Sequence, residues 1–126
     1  MIRTQPIIAV EDVKKSSNWY QRLLQCKSGH GGPTFEILLN EQEEQILSLH
    51  KWGDHDHPTL SNPDITVGNG LILYFVVDDL DLIWKNAESL NATIENTPQI
   101  NPNSGRREFS VRDIDGYYLS ICSKKQ

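Results

Sequence analysis

An apolar stretch that breaks at an acidic pair and passes into a helical pattern occurs twice in this chain. Ile7-Ile8-Ala9-Val10-Glu11-Asp12-Val13 opens the first copy and Tyr74-Phe75-Val76-Val77-Asp78-Asp79-Leu80 the second, with Val77 lying 67 residues after Val10. In a chain of 126 residues, two such copies leave room for little else. An internal duplication constrains the architecture before any single residue does, because both copies must fold to one strand–helix–strands unit. Function is then expected between the copies.

The elements follow from local pattern. Gln5 to Val10 reads as a buried strand, and Glu11-Asp12 supply acceptors and negative charge for a helix N-terminus. Val13, Trp19, Tyr20, Leu23 and Leu24 recur at helical spacing, which makes the two aromatics core residues. Gly29-His30-Gly31-Gly32-Pro33 reads as a flexible turn, since no phosphate-cradle spacing accompanies its glycines. Phe35 to Leu39 and Gln45 to His50 form a hairpin across Asn40–Glu44. Trp52 to Asn69 is the connecting loop. The second copy runs from Leu71 through a helix at Leu80 to Leu90, with Leu80, Ile83, Trp84, Ala87 and Leu90 on one face. A strand over Thr93–Glu95 and a turn-rich Asn101–Gly105 follow. Glu108–Arg112 and Tyr117–Cys122 then pair across Asp113–Gly116, whose glycine can take positive φ. The boundaries are one domain over 1–126, with module one about 4–52, a linker about 53–69 and module two about 70–123.

Composition narrows the classes of partner. A net charge of −5 and a pI near 5.3 argue against nucleic acid, because Lys14-Lys15, Arg106-Arg107 and Lys124-Lys125 are too short to form a basic face. Cys26 and Cys122 are too few for a disulfide framework. Leu71 to Val77 is too short to span a bilayer, and Arg3-Thr4-Gln5 interrupts any signal-peptide pattern. No membrane association and a cytoplasmic location are expected.

Three segments, in order, carry a family resemblance. Val10-Glu11-Asp12-Val13-Lys14-Lys15-Ser16 through Trp19-Tyr20 is similar to the first strand–helix signature of the vicinal-oxygen-chelate superfamily, which includes glyoxalase I, bleomycin-resistance proteins and extradiol dioxygenases. Val77-Asp78-Asp79-Leu80-Asp81 resembles the second signature. Arg112-Asp113-Ile114-Asp115-Gly116-Tyr117 resembles the Asp-Pro-Asp-Gly turn before the final strand, with Ile114 where proline is usual. The resemblance implies an α+β fold of two βαβββ modules whose strands make a curled mixed sheet around a central cavity. Members of that superfamily often pair modules between chains, so a homodimer is expected, although modules of one chain can also pair with each other. The metal-ligand positions it implies fall on Gln5, on Leu47 or Ser48, on Ile72 and on Ser120. Only Gln5 is a plausible ligand in that set, so no metal and no cofactor are expected there.

Alternation along the strands sorts side chains toward a cavity. Gln5, Ile7, His50, Trp52, Tyr74, Tyr118 and Ser120 are the candidate ligand-binding residues, a mostly apolar lining with hydroxyls, an amide and an imidazole. His50 is the candidate general base, having an imidazole pKa near neutrality. His55 and His57 are the alternative metal pair, about 6.6 Å apart on one side of an extended stretch. Trp84 belongs to the core, Cys122 is a small buried hydrophobe, and Arg106 and Arg107 either grip a ligand carboxylate or pair with Glu108 or Asp113. Three readings follow. The first is a binder of a small, partly apolar or aromatic molecule. The second is a metal-dependent lyase, isomerase or dioxygenase with a displaced site, and the third a structural module whose cavity is filled. Whether the chain is an enzyme is left open, because the family includes lyases, isomerases and dioxygenases while the metal-ligand positions here are mostly not ligands.

Overall fold

The computed structural model describes residues 3–54, 59–68 and 71–124. The fold is α+β and consists of two compact units, Met1–Thr66 and Val67–Gln126, each a βαβββ module with its own four-stranded mixed sheet.

Unit one runs β1 (Ile7–Val10), α1 (Val13–Leu24), β2 (Lys27–His30), β3 (Phe35–Leu39) and β4 (Gln45–Lys51), with sheet order β1-β4-β3-β2. The helix starts where Asp12, in extended backbone, accepts from the Lys15 N–H at 3.0 Å, and it ends at Gln25 in the left-handed region (φ 56). Its buried face carries Val13, Trp19, Tyr20 and Leu23. Ser17 of α1 bonds Glu36, so Glu36 and its register partners Leu49 and Ile8 face the helix. Phe35, Ile37, Ser48, His50, Ile7 and Ala9 therefore share the opposite face.

Strand β2 corrects the reading of Gly29-His30 as part of a turn. A Cβ at Gly29 would lie 2.5 Å from Leu39 Cδ1, so glycine lets the Leu39 side chain pack over β2, and a larger residue would push that side chain aside. The Ser28 hydroxyl, bonded to Glu36 at 2.8 Å and 2.9 Å, holds the strand in place. Tertiary contact here overrides glycine's poor strand propensity.

Unit two repeats the plan as β5 (Leu73–Val77), α2 (Leu80–Ser89), β6 (Thr93–Ile100), β7 (Arg107–Arg112) and β8 (Tyr118–Ser123), with order β5-β8-β7-β6. Asp79 caps α2 by accepting from the Leu82 N–H at 3.1 Å. Trp84 of α2 meets Phe109 edge-on at 5.1 Å, so Phe109, with Ile121 and Phe75 in register, faces the helix. Glu108, Ser110, Tyr118, Ser120, Cys122, Tyr74 and Val76 alternate to the other face. Strand β6 reaches Ile100, well past Glu95. Polar Asn96-Thr97 and Pro98 disguise it, and its place at the sheet edge makes the proline tolerable. The Asp113–Gly116 turn closes on buried Asp113, whose Oδ1 accepts from Asp115 N at 2.9 Å and Tyr117 N at 2.8 Å, with Gly116 at φ 98.

Candidate functional site

On the face of unit one opposite α1, Ile7 is half exposed whereas Ala9, Ser48 and His50 are buried. Register puts Ser48 beside Ile7, on the face away from α1, and Leu47 toward α1. Phe35 lies between two imidazoles, 6.0 Å from the His30 ring and 6.2 Å from the His50 ring. His50 Nδ1 is 2.8 Å from the Lys51 carbonyl. A carbonyl only accepts, so Nδ1 carries a proton, and base chemistry would have to use Nε2. Gln5 is exposed ahead of β1, and Trp52 is half-buried just past β4, its N–H donating to Val10 O at 3.1 Å. Phe35 and His30 are additions to the expected set; alternation from Ile37 back to Phe35 is the sequence signal that marks the first.

The corresponding face of unit two is more polar than expected. The Tyr74 hydroxyl donates to the Glu108 carboxylate, whose other oxygen accepts from Asn101 Nδ2 at 2.7 Å. That bond to Glu108, with lesser contributions from desolvation and nearby negative charge, pushes the Tyr74 phenol up to about 12. Tyr118 donates to Ser110 Oγ at 2.9 Å and accepts from Asn96 Nδ2 at 3.2 Å, while the Arg112 guanidinium lies 5.0 Å from its ring centre. Ser120 is buried in register with both Tyr74 and Ser110. Glu108 and Ser110 were visible as alternate residues of one strand; Asn96 and Asn101 lie in segments with no regular pattern.

Neither arginine pairs as expected. Arg107 bonds Asp81 at 3.1 Å, and Arg106 reaches Cys122 Sγ at 3.6 Å; Glu108 is occupied by Tyr74 and Asn101, and Asp113 by its turn. Cys122 is fully buried. His55 and His57 lie outside the described residues. Among the described residues, no three His, Cys, Asp or Glu side chains cluster as metal ligands would. None of the described helices is long and apolar enough to cross a membrane.

The sequence model of the Glyoxalase/Bleomycin resistance protein/Dioxygenase superfamily matches residues 3–121. This chain belongs to that superfamily. Solved structures share its fold over nearly full length. One is a family enzyme from Burkholderia phytofirmans PsJN, with TM-score 0.77 and 18% identity, covering 94% of this chain and 95% of that one. A bleomycin resistance determinant encoded on the transposon Tn5 has TM-score 0.71 and 16% identity, with all of both chains covered. A lactoylglutathione lyase from Agrobacterium tumefaciens has TM-score 0.70 and 15% identity, over 97% and 92%. At such identities the likeness is one of fold. No match was found among the curated proteins.

Proposed function

We propose that this superfamily member binds a small, partly apolar or aromatic molecule, with no metal at the position its family uses. The observation that carries the reading is the strip Ile72, Tyr74 and Val76, which is 58%, 48% and 53% exposed along β5 and its entry. Exposed apolar side chains at alternate positions make a contiguous surface that favours an apolar or planar partner.

The donor set opposes a catalytic divalent ion. Gln5, Ser48, Ile72 and Ser120 offer one amide, two hydroxyls and an alkyl chain, with neither carboxylate nor imidazole. A catalytic ion needs three or more converging N or O ligands, and charge to offset its own. These residues do not fit one.

We propose in addition that two copies associate as a homodimer. Strands β1 and β5 are each the edge of their own unit's sheet, and Ile7 on β1, at 51% exposure, is apolar surface that a second copy would cover. Modules of this size also have limited cores by themselves.

A tryptophan-quenching titration with a panel of aromatic and sugar ligands tests the binding reading. Aromatic ligands are expected to quench saturably, and Trp52→Ala to weaken binding severalfold without unfolding. Sugars binding as well as aromatics would overturn it. Elemental analysis of untagged protein tests the metal: one equivalent of Zn, Ni, Fe or Mn surviving gel filtration, and lost in Gln5→Ala, would favour the displaced-metal enzyme instead. A monomer by sedimentation at micromolar concentration would remove the dimer.

A further inference from the structure

At the carboxyl ends of β5 and β8, where α2 begins, unit two holds a cleft of about 520 Å³ bordered by Ile100, Arg106, Arg107 and Lys124. Asp78, Asp79 and Asp81 also line it, so acids and bases are equal in number. They are not matched one to one. Asp78 holds Lys124 at 2.6 Å, Asp81 holds Arg107 at 3.1 Å, and Asp79 caps α2 through Leu82 N. Glu108 lies two residues along the same strand, but its two oxygens are engaged by Tyr74 and Asn101.

That leaves Arg106 without a carboxylate among the described residues. Its Nη1 has only the Cys122 sulfur at 3.6 Å, a weak acceptor, and its Nε is buried with no hydrogen-bond partner. A guanidinium in that state is under-satisfied: its Nε–H is withdrawn from water and not repaid by an anion. Turning toward an incoming acceptor would forfeit one poor contact and satisfy a stranded donor.

We propose that this cleft is a binding site for the carboxylate of a small organic acid, with Arg106 as its anchor. The planar fork of arginine matches a carboxylate through two parallel N–H···O bonds, which a lysine cannot offer. Ile100, 58% exposed, supplies apolar surface for the body of the acid. With three acids and three bases the cleft carries no net positive charge, which suits a monoanion gripped by one guanidinium better than a dianion such as phosphate. The site shares no residue with the surface assigned above to the aromatic ligand, and it stands or falls independently of that reading.

The test is a titration of ¹⁵N-labelled protein with benzoate, followed at the arginine Nε–H resonances, with benzamide as the uncharged control. Benzoate is expected to shift the Arg106 resonance saturably, and benzamide to leave it in place. Loss of a charge-assisted pair weakens binding about tenfold or more, so Arg106→Gln and Arg106→Lys, followed at the Nε–H resonance of Arg107 in the same cleft, should both show that loss. The lysine variant keeps the charge and guards against a general failure to fold. Arg107→Gln removes equal charge from the same cleft and should weaken benzoate far less, since Arg107 is held by Asp81. Benzamide binding as tightly as benzoate, equal losses in the two arginine positions, or no saturable shift would overturn the proposal. So would inorganic phosphate displacing benzoate more effectively than acetate does.

Discussion

Ser17 on α1 donates its hydroxyl to Glu36 Oε2 on β3 at 3.0 Å, joining helix to sheet through a carboxylate that is only 5% exposed. Ser28 donates to both Glu36 oxygens at 2.8 Å and 2.9 Å, and the Ile37 N–H to Oε1 at 3.0 Å. Every one of these partners is a donor. Ser17's oxygen accepts from Gln21 Nε2 at 2.9 Å, and if it also accepted from an amide at position 36 its own hydrogen would lose its carboxylate acceptor. Glu36→Gln turns an NH₂ toward donors and is expected to destabilise by about 1–3 kcal/mol. Glu43→Gln, at an exposed pair with Lys27, should cost less than about 1 kcal/mol. Urea unfolding of both variants checks the contrast, and equal midpoints would remove the network's structural role.

Tyr74 and Glu108 set a pH dependence whose sign is fixed. The hydrogen bond to Glu108 is the largest cause of a phenol raised from 10.0 to about 12 in the folded chain. A raised folded pKa means the folded state holds the proton more tightly, so this stabilisation is complete below pH 10 and is lost as pH climbs from 10 through 12. Phenolate absorbance is expected to show one tyrosine titrating near 12. Tyr74→Phe should delete that component, and Glu108→Gln should return it toward 10. A wild-type Tyr74 that titrates near 10 would show that the bond does not persist in solution.

Asp12 and Asp79 illustrate what a sequence displays. Each is the second acid of its pair and each caps a helix, because capping depends only on the next few residues. Strand alternation is similarly local, and it groups Ile7 with His50 and Tyr74 with Ser120 within their units. Gly29 shows the opposite case: its strand is defined by pairing with β3, with the Leu39 side chain packed over the glycine, whereas glycine locally signals a turn. The bond from Tyr74 to Glu108 and the Arg106 contact with Cys122 depend on register between distant strands, which bulges and loop lengths set. No residue-by-residue pattern announces such pairs.

The two cysteines should differ in how they resist modification. Burial is the main reason the Cys26 thiol is pushed up to about 11 from 9.0, with nearby Glu36 adding to it. At pH 8 the folded chain then carries about a hundredfold less Cys26 thiolate than the unfolded chain, partly offset by the greater nucleophilicity of a more basic thiolate. An aromatic disulfide reagent is expected to react with Cys26 about tenfold more slowly in the native protein than in urea. Cys122, with no exposed surface, should react only on unfolding. Mass spectrometry of partially labelled protein separates the two; native labelling of Cys122 first would contradict its burial.

Trp84 and Phe109 offer the most direct check on which side of unit two's sheet is core. Their rings meet at 5.1 Å and 70°, with Phe109 1% exposed and Trp84 half-buried at the outer edge of the contact. Truncating a fully buried large aromatic costs about 3–5 kcal/mol, and Trp84 keeps part of its ring in solvent. Trp84→Ala should therefore cost about 2–3 kcal/mol, below that full value. The edge-to-face geometry adds about 0.5–1.5 kcal/mol beyond area, which a double-mutant cycle of Trp84→Ala with Phe109→Leu isolates as coupling. Both variants should leave aromatic-ligand binding intact, since their side chains lie on the face of unit two's sheet opposite Tyr74 and Ser120. Unchanged stability in Trp84→Ala, together with a lost ligand response, would mean that the packed and open faces of this sheet are the reverse of those described.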